Sequence, residues 1–278
     1  MSFPLLMGIV NATPDSCSNP PGARSLGELA EEAHGLAAAG ADIVDVGGES
    51  GRTDREAVPV EEEIARVVPL VERLAGDGLT VSVDTWRAPV ARAALEAGAA
   101  MVNDVSALSD PEVAAACAAF GASLVITHTR VPPKVKGFPD YADVVDDVVE
   151  LLGERAVEAE RRGVDRARLV FDPGIDLGKT PAESVELLRR LPELAVLGGP
   201  LLVAVSRKDF VGALTGRPPG ARDAGTLAAV DRAVEGGASI LRVHDVAGVR
   251  DYLLVRAALR AGADRDLELA EELRREAV

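Results

Sequence analysis

The chain has 278 residues, of which 47% are hydrophobic and 27% are charged, and its formal net charge is −15. This balance is typical of a globular protein, and the acidic excess disfavours nucleic acid as a partner, because phosphate binding needs clustered Lys and Arg. Aromatic residues make up only 3%, so the core must be aliphatic, which suits a parallel sheet packed under helices.

Eight short apolar segments, each ending in polar or glycine-containing sequence, predict strands. They occupy residues 5–10, 43–46, 80–83, 101–102, 124–127, 169–171, 201–205 and 240–243. Between them lie Ala-, Leu- and Glu-rich stretches with helical spacing, such as LGELAEEAHGLAAAGA. Many of these helices are predicted to end in a glycine, which suits the left-handed residue after a helix. These glycines are Gly40, Gly98, Gly121, Gly163 and Gly237.

About eight strand–helix units in a chain of this length favour a single-domain (β/α)8 barrel that spans residues 1–278. The alternative is a doubly wound open sheet. Such a sheet would usually carry a Gly-rich nucleotide loop after its first strand, and GIVNATPDS is not such a loop. We find no sign of a second domain or of a repeat short enough for a solenoid.

Three features of the sequence bear on location. The N-terminal segment MSFPLLMGIVNATPD has no basic region and is interpreted as a first strand rather than a signal peptide. No segment approaches the roughly 18 apolar residues of a membrane span. Cys17 and Cys117 lie far apart in no metal-like spacing, which fits a reducing compartment. We therefore expect a cytoplasmic protein with no membrane partner.

Polar residues recur where the predicted strands end. They are Asn11, Glu49, Ser50, Asp84, Asn103, Asp104, His128, Asp172, Ser206, Lys208, Arg242 and His244. Any one of them could cap a helix or hold a turn, but so many converging polar groups are hard to explain as independent caps. Because barrel active sites lie at the C-terminal ends of the strands, the sequence predicts an active site there.

The motifs at these positions resemble those of dihydropteroate synthases. MGIVNATPDSCS is similar to the family's first-strand signature and ADIVDVGGES to its second, and VSVDT, VND, FDPG, SRK and RVHD follow in the family's order over about residues 5–260. The resemblance implies a transferase of folate biosynthesis, with Mg2+ as cofactor and usually a homodimer. It would join 6-hydroxymethyl-7,8-dihydropterin pyrophosphate to p-aminobenzoate, giving dihydropteroate and pyrophosphate.

The resemblance also assigns residues to the pterin. It places Asp84, Asn103, Asp172 and Lys208 in the family's pterin pocket. A pterin presents adjacent donors and acceptors along its aminopyrimidinone edge, and an unmatched buried polar group costs roughly 1–3 kcal/mol. Asp172 fits the carboxylate that accepts from the ring, and Lys208 fits the donor to the ring oxygen.

Arg242 and His244 are placed by the resemblance at the anion site, and Asn11 near Mg2+ and the pyrophosphate. An arginine supplies the charge and planar donors that a pyrophosphate needs, and Mg2+ prefers oxygen ligands. Together with Lys208 and Arg52, these residues form the expected catalytic set. The implied mechanism is loss of pyrophosphate with charge neutralisation, followed by capture of the methylene by the arylamine.

The chain departs from the family in the loops expected to hold the arylamine. The residues expected to contact it are Cys17, Arg52, Leu177 and Ser206. Cys17 stands where the family usually has Phe, and Asp176-Leu177-Gly178 replaces Gly-Phe-Gly. An aromatic wall contributes stacking and burial that Cys17 lacks.

Three functions therefore stay open. The first is a working dihydropteroate synthase. The second is a pterin-binding relative with altered arylamine specificity or no synthase activity. The third is a pterin-binding methyltransferase domain, which SRK and RVHD disfavour because methyl transfer needs no pyrophosphate site.

Overall fold

The computed structural model describes residues 3–13, 24–51, 53 and 56–262. Eight parallel strands close into one barrel in sequence order, β1 to β8. This closure confirms the (β/α)8 barrel and rules out the open sheet. The strands are β1 (Leu5–Asn11), β2 (Ile43–Gly47), β3 (Val81–Asp84), β4 (Met101–Asp104), β5 (Ser123–Thr127), β6 (Leu169–Asp172), β7 (Leu201–Val203) and β8 (Ala238–Val243).

Helices alternate with the strands and cover the barrel. In the described residues they are α1 (Leu26–Ala38), α2 (Val60–Gly76), α3 (Ala88–Glu96), α4 (Glu112–Phe120), α5 (Val144–Arg161), α6 (Pro181–Arg189), α7 (Asp209–Thr215), α8 (Asp223–Glu235) and α9 (Val246–Ala261). The five glycines predicted to follow helices all have positive φ, the left-handed conformation that glycine adopts at little cost. No helix among the described residues is both long enough and apolar enough to cross a membrane.

Several strands extend further into polar sequence than their apolar segments indicated. Asp84, Asp104 and Asp172 are the last residues of β3, β4 and β6. The difference arises because apolar content reports burial, whereas strand length depends on backbone pairing with the neighbouring strands. These carboxylates therefore project from paired backbone. β7 is shorter than predicted and ends at Val203.

The barrel separates two apolar layers. Outward-facing strand residues such as Val46, Val83 and Val102 pack against the helices in the main core, where the free thiol of Cys117 is buried. A second cluster fills the inside of the barrel and forms what we call the floor. The floor residues are Met7, Ile43, Met101, Val125, Val170, Leu202 and Ile240.

Candidate active site

A layer of polar side chains lies directly above the floor, and we call it the polar layer. Each member follows a floor residue by two positions along the same strand. Because side chains alternate between the two faces of a strand, the residue two positions further along also faces the barrel interior. It lies one layer closer to the C-terminal mouth. The members placed in this way are Asp45, Asn103, Thr127, Asp172 and Arg242.

Strand register brings further predicted residues to the same level. Asn11, Gly47, Asp84 and Asn103 are successive partners across β1, β2, β3 and β4. A Cβ added to Gly47 would lie 3.7 Å from Asp84 Cβ and 3.8 Å from Asn11 Oδ1. Glycine at this position therefore leaves open space between the Asn11 amide and the Asp84 side chain.

Arg242 is the hub of the polar layer. Its Nε donates to Asp45 Oδ2 at 2.6 Å and one of its terminal nitrogens donates to Asp84 Oδ2 at 2.8 Å. Asn103 Nδ2 donates to the same Asp45 oxygen at 3.1 Å. The side chains of Arg242 and Asp84 keep 18% and 20% of their exposure, so both can reach a ligand that enters the mouth.

Burial favours the protonated form of two carboxyl groups at this level, Asp84 and Asp172. Burial raises the pKa of Asp84 to about 7; the Arg242 guanidinium opposes the shift, whereas the neighbouring Asp45 carboxylate reinforces it. Burial likewise raises the pKa of Asp172, against the effects of the Gly174 N–H and of the Lys208 and Arg242 charges. A ligand that presents hydrogen-bond donors or positive charge would therefore stabilise the ionised form of both carboxyls.

Asp172 is held by the loop that follows it. Its Oδ1 accepts from the Gly174 N–H at 2.7 Å, and Gly174 has φ +68°. A Cβ at Gly174 would lie 2.0 Å from the carbonyl oxygen of His128. The FDPG motif therefore needs glycine at its fourth position because the β5 and β6 loops cross there.

Lys208 lies on the neighbouring β7 loop as the residue that precedes α7. Its ammonium makes no hydrogen bond or ion pair with the described residues, yet its charge lowers the pKa of Asp172. An unpartnered cation near a buried carboxylate is available to donate to a ligand oxygen.

Ser206 is bound to His244. The Ser206 hydroxyl lies 2.9 Å from His244 Nδ1 and accepts from the His244 backbone N–H at 3.3 Å. The direction of the Ser206–Nδ1 hydrogen bond depends on which imidazole nitrogen carries the proton. Burial lowers the pKa of His244 to about 4, and the charges of Arg242, Arg207 and Lys208 add to the shift. His244 is therefore neutral at physiological pH.

A cavity of about 480 Å3 lies beside the polar layer, and we call it the loop cavity. Its walls include Trp86 after β3, the β5 loop from Val131 to Phe138, and Leu177 in the β6 loop. Lys134 closes one side, since its ammonium donates to the Ser50 carbonyl at 2.8 Å and lies 3.2 Å from Glu49. The predicted arylamine residue Leu177 thus lines a cavity separate from Asp84, Asn103 and Asp172.

Two predicted residues, Cys17 and Arg52, lie outside the described residues.

Two other polar residues at strand ends, Glu49 and His128, form ion pairs or hydrogen bonds outside the polar layer. Glu49 is buried beside Arg87, with a side-chain contact of 2.9 Å. His128 is fully buried and pairs with Asp147 at 2.8 Å. Burial and the Lys179 charge lower its pKa to about 3. His128 is thus a satisfied interior residue.

Sequence reasoning missed two buried groups at this end of the barrel. Asp45 lies inside the segment IVDV, which is predicted from its sequence as an apolar strand. Its position two residues after Ile43 is the signal that could have placed its carboxylate inside the barrel. Lys179 is only 1% exposed. Its ammonium donates to the carbonyls of His128, Gly174 and Leu177 at 3.0–3.3 Å, and this joins the β5 and β6 loops.

The described residues contain no cluster of three or more His, Cys, Asp or Glu suited to holding a metal ion. Asn11 contributes a single amide oxygen at the mouth, half-buried. This donor set fits a Mg2+ ion bound mostly by substrate phosphate oxygens and water, which is how Mg2+ commonly binds in phosphate sites. It does not fit a cation held by protein carboxylates alone.

Comparison with known proteins identifies the family. Residues 7–244 match the family described as pterin binding enzyme. The chain is 40% identical to dihydropteroate synthase from Synechocystis sp. over 91% of its own length and 89% of that protein. It is also 42% identical to a probable bifunctional folylpolyglutamate synthase/dihydropteroate synthase from Haloferax volcanii, of which it spans 32%.

Solved structures agree with these relatives. The Xanthomonas albilineans dihydropteroate synthase with 4-aminobenzoic acid superposes with a TM-score of 0.86 at 45% identity, covering 94% of each chain. The same enzyme in complex with 7,8-dihydropteroate gives a TM-score of 0.83 at 43% identity, covering 94% of this chain and 95% of that one. The chain therefore belongs to the dihydropteroate synthase family of pterin-binding (β/α)8 barrels.

Proposed function

We propose that this protein is a working dihydropteroate synthase. It would condense 6-hydroxymethyl-7,8-dihydropterin pyrophosphate with p-aminobenzoate to give dihydropteroate and pyrophosphate. The observation that carries the proposal is the polar layer, in which Arg242 links Asp84 to Asp45, and Asp45 to Asn103, above an apolar floor. Such a layer offers acceptors, donors and positive charge within one barrel mouth.

Pterin recognition follows from the chemistry of these side chains. The ring N–H and the exocyclic amine need acceptors, which Asp172 and the Asn103 amide oxygen can supply. Asn103 Oδ1 has no hydrogen-bond partner among the described residues, and a buried acceptor of this kind gains a full hydrogen bond when a donor arrives. Lys208 would donate to the ring oxygen, and the apolar floor would contact the edge of the ring that enters deepest.

The leaving group is a pyrophosphate, and Arg242 and neutral His244 are proposed to bind it as donors. When the C–O bond to pyrophosphate breaks, negative charge collects on the leaving oxygens, and a guanidinium placed there stabilises it. The arylamine nitrogen then bonds to the pterin methylene carbon and loses a proton. We propose Asn11 as the protein ligand of Mg2+, which when bound would supply further charge neutralisation to the pyrophosphate.

The arylamine is proposed to bind between the polar layer and the loop cavity. Leu177, Trp86 and Phe138 are among the residues that give the described wall its apolar surface. The Arg87 guanidinium lies 4.9 Å from the Trp86 ring centre. Cys17, Arg52 and Ser206 stay predictions for this part of the site. Positioning of the amine against the methylene would be the main contribution of these loops.

The proposal is tested by mixing purified protein with Mg2+, the pterin pyrophosphate and p-aminobenzoate. Pyrophosphate release and the mass of dihydropteroate are measured together. We expect both products in equal amounts, and neither from the Asp172→Asn variant. Absence of dihydropteroate with the unaltered protein would contradict synthase activity.

A second candidate is a pterin-binding protein whose nucleophile differs from p-aminobenzoate. The observation that favours it is the sequence of two altered loops, with Cys17 and Leu177 where the family usually has Phe. Calorimetry with the pterin, followed by turnover with a panel of arylamines, separates the two. Tight pterin binding with turnover of another amine only would select this second function.

We also propose that the protein is cytoplasmic and forms a homodimer. A buried free thiol at Cys117 supports a reducing compartment such as the cytoplasm. The homodimer implied by the family is tested by size-exclusion chromatography with light scattering. A mass near 28.9 kDa would identify a monomer, and twice that mass a dimer.

A further inference from the structure

Asp176 has an unusual backbone conformation in the β6 loop. Its φ is +63°, in the left-handed region that most non-glycine residues avoid. The resemblance described above places a glycine here in most of the family, so this chain carries a side chain where a glycine would be unstrained. Aspartate is among the few non-glycine residues that adopt this conformation, because its short polar side chain can make a hydrogen-bonded contact.

The contact is made with a different loop. Asp176 Oδ2 accepts hydrogen bonds from the backbone N–H groups of Asp209 and Phe210, the latter at 3.4 Å. These are the first two residues of α7. The first N–H groups of a helix have no partners within the helix, and a carboxylate at this end also interacts favourably with the helix dipole. Asp176 therefore caps α7 from outside.

The residue immediately before this cap is Lys208. Lys208 is the N-cap of α7, and its own side chain makes no capping bond. On the other side of the same turn, Arg222 donates to the carbonyls of Arg207 at 2.9 Å and Lys208 at 3.1 Å. The turn is thus fixed through its N–H groups by Asp176 and through its carbonyls by Arg222.

This arrangement matters because the Lys208 ammonium makes no hydrogen bond or ion pair with the described residues. Its position depends on the backbone that carries it and not on side-chain partners. A small rotation at the start of α7 would move the ammonium at the end of a long, flexible side chain. Positioning of Lys208 is therefore a property of the α7 cap.

We propose that Asp176 is a positioning residue that fixes Lys208 for the pterin by capping α7 from the β6 loop. The proposal rests on the proposed function, because Lys208 matters only if a pterin binds at the mouth. The carboxylate of Asp176 acts through the backbone of Asp209 and Phe210 and does not itself touch the pterin.

Two variants separate the cap from backbone strain and from charge. Asp176→Gly removes the cap and suits a positive φ, so it should fold well. Asp176→Asn keeps an oxygen acceptor and tolerates the left-handed conformation, but it removes the charge. We expect Asp176→Gly to weaken binding of 6-hydroxymethylpterin about fivefold, in line with the worth of a helix cap, and Asp176→Asn to bind within about twofold of the unaltered protein.

A double-mutant cycle with Lys208→Met tests whether the effect passes through Lys208. In the Lys208→Met background, we expect Asp176→Gly to cause no further loss of pterin affinity. Equal losses in both backgrounds, an unchanged affinity for Asp176→Gly, or an Asn variant as weak as the Gly variant would each overturn the proposal. Thermal melting of all variants monitors folding.

Failure of this proposal is distinguishable from failure of the proposed function. If the unaltered protein binds no pterin, both are overturned. If it binds pterin and makes dihydropteroate while Asp176→Gly leaves the pterin affinity unchanged, only the proposed role of Asp176 is wrong.

Discussion

The polar layer and the loop cavity lie side by side at the mouth of one barrel, but they are built differently. The polar layer projects from paired strands and rests on a packed apolar floor, so strand alternation and register set the direction of each side chain. The loop cavity is walled by segments after β5 and β6 that include the left-handed residues Lys134 and Asp176. Strands fix one half of the site, and loops shape the other.

This difference teaches where the chain could change without losing its fold. The strand-borne half keeps the family-like residues Asp84, Asn103, Asp172 and Arg242, whereas the described loop-borne half carries the departures at Asp176 and Leu177. Barrel enzymes vary their chemistry through loops because loop changes leave the core intact. Variants of each half test how far the two halves act independently.

Arg242→Met should have the largest effect, on stability as well as on activity. It would leave the Asp45 and Asp84 carboxylates at the mouth without their cation, and breaking such a buried pair costs about 3 kcal/mol. Urea unfolding measures the loss in the free energy of unfolding. Adding Asp45→Asn to Arg242→Met should recover part of it, because one unpaired charge is then removed. An Arg242→Met protein as stable as the unaltered one would show that the network contributes nothing.

Asp172→Asn should abolish measurable pterin binding, with a loss of at least about 100-fold. The change turns one acceptor into a donor that faces the donors of the ring, and leaving such groups unpaired costs about 3 kcal/mol. Calorimetry with 6-hydroxymethylpterin provides the measurement, and Asp251→Asn on an exposed helix position is the matched control. Unchanged affinity in Asp172→Asn would mean that the pterin lies elsewhere.

Pterin affinity should fall about tenfold as the pH is lowered from 8 to 6. The pKa of Asp84 is raised to about 7, so the carboxylate is ionised above that pH and takes up a proton as the pH falls through it. The protonated carboxyl offers one acceptor fewer. One pH unit below the pKa only about a tenth of the Asp84 carboxyls are ionised, so pterin affinity falls about tenfold. Asp84→Asn should bind more weakly at pH 8 and show a flat profile. The same slope in the variant would assign the titration to another group.

The smallest effects should come from restoring aromatic surface to the loops. Cys17→Phe and Leu177→Phe should each improve p-aminobenzoate affinity about fivefold, because an aromatic contact contributes about 1 kcal/mol. Neither change should alter pterin affinity measured alone. An equal gain for both ligands would show that the two halves are coupled, and no gain for p-aminobenzoate would favour a different nucleophile.

Much of the fold was predictable because it depends on local, periodic features. Alternating strand and helix segments with glycines after the helices predicted the barrel, and the ends of the strands located the mouth. Asp45 was missed because a segment with a single carboxylate is still predicted as an apolar strand. Lys179 was missed because a lysine in a loop is ordinarily exposed, and only the crossing of two loops buries it.

The sequence by itself predicted the barrel, the position of Asn11, Asp84, Asn103 and Asp172 at the ends of its strands, and the family resemblance of the motifs that carry them. The tertiary structure alone decided that Arg242 bridges Asp45 and Asp84, that Ser206 binds His244, and that Asp176 caps α7. The physical reason is range. Periodicity and turn chemistry act between residues close in sequence, whereas these contacts join side chains from different strands and loops, whose meeting depends on closure of the whole barrel.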